Sequence, residues 1–215
     1  MDAVTLVLLT VGSVVVLALL AAQIHERRAK LLRAAADDMG FTFTPSDPAL
    51  AASFNDLMLF SGSQTILAVN VLRGEANGLE VLIFDLHYNT RIGNNVQQRR
   101  MTLLVFQDRQ ADWPSFSLRP RRFFHRLNTG EVTFEIDEGF KKIYLLQASD
   151  TDAVRELFNE DVRHFFMQNT GVAVEGGGQR LVYCNGRLVS PEGLRPFMEE
   201  GFRVLNVLQT GGQPS

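Results

Sequence analysis

Cysteine is nearly missing from this 215-residue chain, with Cys184 as its only instance. No intramolecular disulfide can form, which disfavours a secreted domain held by staples and leaves buried apolar surface to hold the fold. In the run Leu181 to Cys184 the thiol reads as a small apolar core residue rather than a nucleophile. A surplus of one charge is lacking too: 21 Lys and Arg face 24 Asp and Glu, for a formal net charge of −3 and a pI near 5.8. That balance gives no basis for bulk nucleic-acid binding. The four histidines, His25, His87, His125 and His164, show neither i,i+4 nor H-x-H spacing, so no metal site is expected. G-x-S-x-G, Ser-x-x-Lys and C-x-x-C are all absent, and with them the local markers of common hydrolases and redox enzymes. Gly176-Gly177-Gly178 lacks a P-loop lysine and a helix directly after it, so it reads as a hairpin tip. The expectation is no catalytic residue, no metal and no cofactor, with a triad drawn from distant segments left open.

What the chain does have is a long uncharged leader. From Val4 to Ile24 only Thr5, Thr10, Gly12, Ser13 and Gln23 interrupt the apolar character. Roughly 20 such residues at helical rise cross a bilayer, whereas a secretory h-region is about half as long. Asp2 alone precedes the run, while His25, Glu26, Arg27, Arg28, Lys30 and Arg33 follow it. Basic residues stay on the cytoplasmic side, so the expected arrangement is a single-pass cell-membrane protein with its N-terminus outside and its C-terminal domain in the cytoplasm. Two other readings compete. Ala18, Ala21 and Ala22 offer small residues to a signal peptidase, although a cationic n-region is missing. A buried core helix would need a polar face that the run does not show. The expected organisation is a tail and transmembrane helix over 1–25, a juxtamembrane helix over 26–40, one domain over 41–210 and a loose tail over 211–215.

The remainder is long enough for one well-filled core. Leu31, Leu32, Ala35 and Met39 recur at helical spacing, Glu26 and Lys30 form an i,i+4 pair, and Gly40 is a stop. Asp47-Pro48 opens a short helical turn. Thr65 to Arg73 and Leu79 to Tyr88 bracket an Asn77-Gly78 turn, a strong hairpin signal. A polar loop over Asn89 to Gln98 leads to a third strand, Arg99 to Gln107. Shorter strands are expected at Ser115 to Leu118, Glu131 to Ile136 and Lys142 to Gln147. Ser149, with Asp152 three positions on, resembles a capping box for one helix running toward Gly171. A hairpin then flanks the three glycines, Asn185-Gly186 turns the chain into Arg187 to Val189, and Ser190-Pro191 starts a last helix that stops before Gly211. Strands followed by helix, hairpin and helix predict an α+β fold: a mainly antiparallel sheet with packed helices, preceded by one N-terminal transmembrane helix.

One polar pair and one surface constellation are weighed against simpler readings. Asp85 and His87 lie two apart on a strand and share its face with Val81 and Ile83. A carboxylate beside an imidazole can begin acid–base work, but nothing at motif spacing completes the site, and a solvated strand end explains the pair more simply. Arg119, Arg121, Arg122 and Arg126 are interleaved with Pro120, Phe123, Phe124 and His125. Cations beside phenyl rings suit anionic lipid headgroups, and a tether would hold them near a membrane. The alternative is a surface turn whose phenylalanines enter the core. Arg27, Arg28, Lys30 and Arg33 form the juxtamembrane basic group.

Gly40-Phe41-Thr42-Phe43, Asp47-Pro48-Ala49-Leu50, Asn70-Val71-Leu72-Arg73-Gly74 and Phe84-Asp85-Leu86-His87-Tyr88 together give the chain a resemblance to a group of uncharacterised bacterial membrane-anchored domains. The likeness covers most of the chain after the anchor. It implies a bacterial, cytoplasm-facing anchored domain and carries over no site residues. The functional expectation is a noncatalytic binding or scaffolding module at the membrane face, meeting a protein partner or anionic lipid headgroups. An anionic-lipid-binding domain and a tethered enzyme with dispersed residues are the alternatives.

Overall fold

The computed structural model describes residues 3–54, 57–60, 66–92, 95–121 and 138–211; within these, the side chains of 3–11, 14, 15, 17, 18, 21, 60, 66, 91 and 92 are outside the description. Among these residues eight strands form one sheet in the order β1-β2-β3-β4-β8-β7-β5-β6, and every neighbouring pair is antiparallel. The strands are β1 (Thr42–Ser46), β2 (Ile66–Ala76), β3 (Leu79–Ile92), β4 (Asn95–Gln107), β5 (Trp113–Pro120), β6 (Tyr144–Ala148), β7 (Ala173–Gly178) and β8 (Arg180–Cys184). The helices are α1 (Ala3–Asp38), α2 (Pro48–Ala52), α3 (Glu138–Ile143), α4 (Thr151–Leu157), α5 (Glu160–Gln168) and α6 (Leu194–Thr210). The expected α+β class with a mainly antiparallel sheet is what the chain adopts.

Period-two alternation divides the sheet's side chains between two cores. Val81, Ile83, Leu104, Phe106, Phe116, Leu118, Val174 and Tyr183 face the side covered by Leu32 and Ala36 of α1, Phe158, Val162 and Phe166 near α4 and α5, and the buried stripe of α6. Leu82, Phe84, Leu86, Leu103, Val105 and Val182 face the other side, against Ala51, Phe54 and Leu59. Residues 81–86 are therefore buried without a break, because both faces of β3 are covered. Gly201 lets α6 approach closely: a Cβ built there would fall 2.2 Å from Leu104 Cδ2.

Several local expectations change. The helix after Ile24 continues the leading run without a break, an arrangement the sequence allows, with α1 unbroken from Ala3 to Asp38. Its C-terminal half contacts β1 and β2 and so belongs to the head. Among the described residues no helix is long and apolar enough to cross a membrane. The uncharged run Val4 to Ile24 falls largely on side chains outside that description. The polar stretch 89–98 is not a loop either: Asn89 pairs with Gln98, Thr90 with Gln97 and Ile92 with Asn95, extending the β3–β4 ladder. Polarity signalled a loop there because residues 95–98 are exposed on both faces of their strand.

The helix expected from Ser149 toward Gly171 is two. Asn159 interrupts it, and its Oδ1 accepts from Val162 N at 3.0 Å to cap α5. The cap of α4 is Asp150 rather than Ser149, with Oδ1 accepting from Asp152 N and Ala153 N. Gly176 and Gly177 lie within β7 rather than at the hairpin tip. A Cβ on Gly176 would come 2.3 Å from the Phe116 ring, so glycine is required where the ring crosses the strand. Residues 187–189 are not a strand, and α6 starts at Leu194 after a 3-10 turn, Pro191–Gly193. The strand expected over 131–136 lies outside the described residues. The Asn77-Gly78 turn, with φ of 53° and 78°, and the Asp47 cap of α2, which accepts from Leu50 N at 2.9 Å, are as expected.

Candidate functional site

Among the described residues, the two faces of the sheet each bury one carboxylate. On the α1 face Asp85 is only 2% exposed, which overturns the expectation of a solvated strand end. Arg28 explains the burial. Its Nε and Nη2 donate to Asp85 Oδ2 and Oδ1, both at 2.8 Å, a bidentate fork. Asn70 Nδ2 donates to Oδ2 and Thr102 Oγ1 to Oδ1, both at 2.9 Å. Asn70 reaches in because β2 is irregular between Val69 and Leu72, where Asn70 adopts a left-handed φ of 52° that asparagine tolerates.

The same node gathers a third segment. Arg28 Nη2 also donates to the Val189 carbonyl at 2.9 Å, Val189 N donates to Thr102 Oγ1 at 2.9 Å, and Thr102 N donates to the Arg187 carbonyl at 2.8 Å. Helix, sheet and the 187–189 segment are thus clasped by one charge pair. His87, two residues along β3, is half-buried. Burial lowers its pKa first, the Arg100 charge adds to that, and His25 and Arg28 contribute in the same direction against Asp85. With four donors already on the Asp85 oxygens, the pair has no free carboxylate for proton abstraction.

On the opposite face Ser117, Gln147 and Glu175 are cross-strand partners on β5, β6 and β7, with Arg119 two residues along β5 on the same face. All four are buried. Glu175 accepts from Met58 N and Leu59 N, each at 2.7 Å, so it receives the short helical turn that crosses this face. Burial pushes its carboxyl up to about 7, opposed by those two amides and by the Arg119 and Arg180 charges. Arg119 Nη2 donates to Gln147 Oε1. Ser117 Oγ has no hydrogen-bond partner among the described residues. Cys184 is buried nearby, and burial pushes its thiol up to about 12, which suits a core residue and not a nucleophile.

The expected arginine surface loses Arg119. Arg119 is 2% exposed and sits under the sheet's covering layer, because an odd position of β5 faces inward here. Arg121 Nε donates to the Lys141 carbonyl. Arg122 and Arg126 lie outside the described residues. The juxtamembrane basic residues also separate: Arg28 is consumed by Asp85, Lys30 pairs with Glu26 at 3.0 Å, Arg33 stacks 5.0 Å over the Phe43 ring, and Arg27 is exposed. Among the described residues no cluster of three His, Cys, Asp or Glu could hold a metal.

Sequence reasoning missed Glu175 altogether. Its one signal is a lone carboxylate in the otherwise apolar and glycine run Val172 to Gly178. The Arg28–Asp85 partnership spans 57 positions and leaves no local trace.

No family model and no curated protein sequence matches the chain. Among solved structures it is similar to the crystal structure of the mycobacterial trehalose monomycolate transport factor A, TtfA, with a TM-score of 0.60 and 14% identity over 87% of this chain and 97% of that one. At that identity the likeness establishes a common fold.

Proposed function

We propose that this chain is a membrane-tethered, noncatalytic binding or scaffolding module, anchored through Val4 to Ile24 with its α+β head on the cytoplasmic side. The observation that carries the reading is the construction of α1. Its leading part has no charged residue from Ala3 to Ile24, yet the same unbroken helix continues into the head and is pinned there through Arg28 to Asp85. A helix so fixed would transmit the anchor's position to the sheet rather than act as a slack linker. The one-sided placement of Arg27, Arg28, Lys30 and Arg33 after the run supports a cytoplasmic head. Both buried carboxylates are engaged by donors that serve the fold, which favours binding over catalysis. That a protein of the same fold is named as a transport factor agrees with this choice.

Alkaline extraction of membranes holding the full chain tests the tether: retention in the pellet is expected, and release into the wash would refute it. Sidedness needs an introduced thiol, since Cys184 is shielded. A Glu156→Cys chain, substituted at an exposed position of α4, should react with an impermeant maleimide only after the cells are broken. Labelling of intact cells would place the head outside.

A further inference from the structure

Among the described residues, the β3–β4 ribbon beyond Tyr88 pairs only with itself. The last rung of β2 on β3 joins Ile66 to Tyr88, and β8 meets β4 only from Leu104 onward. Between these limits residues 89–92 and 95–98 pair with each other and, among the described residues, with no further strand. Residues 95–100 are all exposed, and Val96 is 53% exposed, a large apolar side chain turned to solvent. A two-stranded arm with no neighbouring strand among the described residues is a recognition element or a liability, and natural chains put charge on such edges. Here the charge has one sign: from Leu86 to Gln107 there is no Asp or Glu, while Arg91, Arg99 and Arg100 are present.

The direction of the arm supplies the occupant. Arg28 binds Asp85, and one turn nearer the N-terminus His25 acts electrostatically on His87, two residues farther along β3. Followed back toward Ala3, α1 therefore runs in the same sense as β3 runs toward Ile92. From Asp85 to Ile92 the strand advances on the order of 24 Å at its usual rise per residue. From Arg28 back to Ile24 the helix covers only about 6 Å. The arm is therefore long enough to pass the level at which the uncharged run of α1 begins, and a course slanting away from α1 would keep its polar tip in the headgroup zone rather than deep among the acyl chains. Val96, Gln98 and Arg100 alternate on the face that Thr102 and Leu104 share with α1, and Arg99 takes the other.

We propose that the β3–β4 ribbon is a second membrane contact, seating Arg99 and Arg100 among anionic lipid phosphates and Val96 at the edge of the acyl region. This rests on the tethered reading. A bilayer holding Val4 to Ile24 would have its headgroup zone, about 5–7 Å deep on each side, alongside the arm. Two arginines near an anionic surface are each attracted to it, and the absence of any carboxylate on the arm removes the opposing repulsion. The ribbon and α1 together would fix the head's orientation on the membrane, which a single helix cannot do.

The test uses the full chain carrying Val96→Cys, labelled with the fluorophore NBD, in phosphatidylcholine vesicles containing a minor share of phosphatidylglycerol. A matched chain carries the label at Glu156→Cys on α4. Flotation with the vesicles is read separately and reports the tether. The expected result is a blue-shifted Val96 label that headgroup-proximal doxyl lipids quench, with the Glu156 label unaffected. Most of that quenching should disappear in the chain with Arg99→Glu and Arg100→Glu and persist with Arg99→Lys and Arg100→Lys. If the chain floats but the Val96 label stays aqueous, the ribbon contact is overturned and the tether stands. A chain that fails to float overturns both. Response of the label in native membranes but not in lipid vesicles would assign the arm to a protein and overturn the lipid contact.

Discussion

Asp85 and Glu175 are buried on opposite faces of the same sheet, and their donors differ: one joint is fixed by a cation and the other is closed by backbone amides. Asp85 receives a guanidinium fork, a side-chain amide and a hydroxyl, so its charge is matched and every approach is filled. Glu175 receives two backbone amides from Met58 and Leu59, with Arg119 and Arg180 acting only through their fields. Uncharged donors stabilise a carboxylate less than a bound cation does. Burial then dominates at Glu175 and holds the proton up to about 7. What the two joints fasten differs accordingly: α1 on one face, a three-residue turn on the other.

The largest expected effect comes from breaking the fixed joint. Asp85→Ala removes the partner of Arg28, whose side chain is 19% exposed, and strips acceptors from Asn70 and Thr102. Cutting a buried pair on one side costs about 3 kcal/mol or more. Chemical denaturation of the detergent-solubilised full chain should show that loss, and proteolysis should cut earlier within 26–40 as the helix leaves the sheet. The Arg28→Ala, Asp85→Ala double variant should lose less than the two single losses combined. Additive losses would mean that the two residues do not act as a joint.

The joint at Glu175 should reveal itself through pH. The Glu175 carboxyl moves from an ordinary 4.5 to about 7 in the fold, so between those values the native chain holds a proton that the unfolded chain releases. Stability from this group is therefore greatest below pH 4.5 and is lost as pH rises through about 7, a fall of roughly 3 kcal/mol. Unfolding midpoints taken at intervals from pH 5 to pH 8 should decline, and Glu175→Gln should flatten that slope. An unchanged slope in Glu175→Gln would assign the pH dependence to other groups.

Apolar runs bounded by turn residues were legible in the sequence; the two joints were not, and the reason is physical. Continuous aliphatic and aromatic runs marked β2, β3 and β4, whose centres are covered on both faces, and Asn77-Gly78 fixed the hairpin because both residues accept positive φ. Polarity misleads at Phe116-Ser117-Leu118-Arg119. Polar residues at alternate positions read as a solvated face, yet Ser117 and Arg119 are as buried as Phe116 and Leu118 because a second layer covers them. Polarity reports which groups need partners, not whether those partners are water. Asp85 is the sharper instance: its fork comes from Arg28, which flanking charge alone assigned to the membrane boundary. The ribbon erred in the opposite sense, since 89–98 is polar on both faces and still forms a ladder. Cross-strand hydrogen bonding continues there without an apolar face to advertise it.

The smallest effect sharpens what the fixed joint fastens. Thr102 Oγ1 donates to Asp85 and accepts from Val189 N, so one hydroxyl ties the charge pair to the 187–189 segment. Thr102→Val keeps the shape and removes both bonds. Asp85 retains Arg28 and Asn70, so the α1 contact survives, while the buried Val189 N–H is left unpaired at a cost of about 1–3 kcal/mol. The loss in denaturation should be smaller than that of Asp85→Ala, and early proteolysis within 26–40 should not appear. Hydrogen exchange separates the two fastenings. Protection should fall at the Val189 amide and hold along α1 if the hydroxyl serves the segment, whereas loosening of α1 would show that the guanidinium fork depends on Thr102 to hold its geometry.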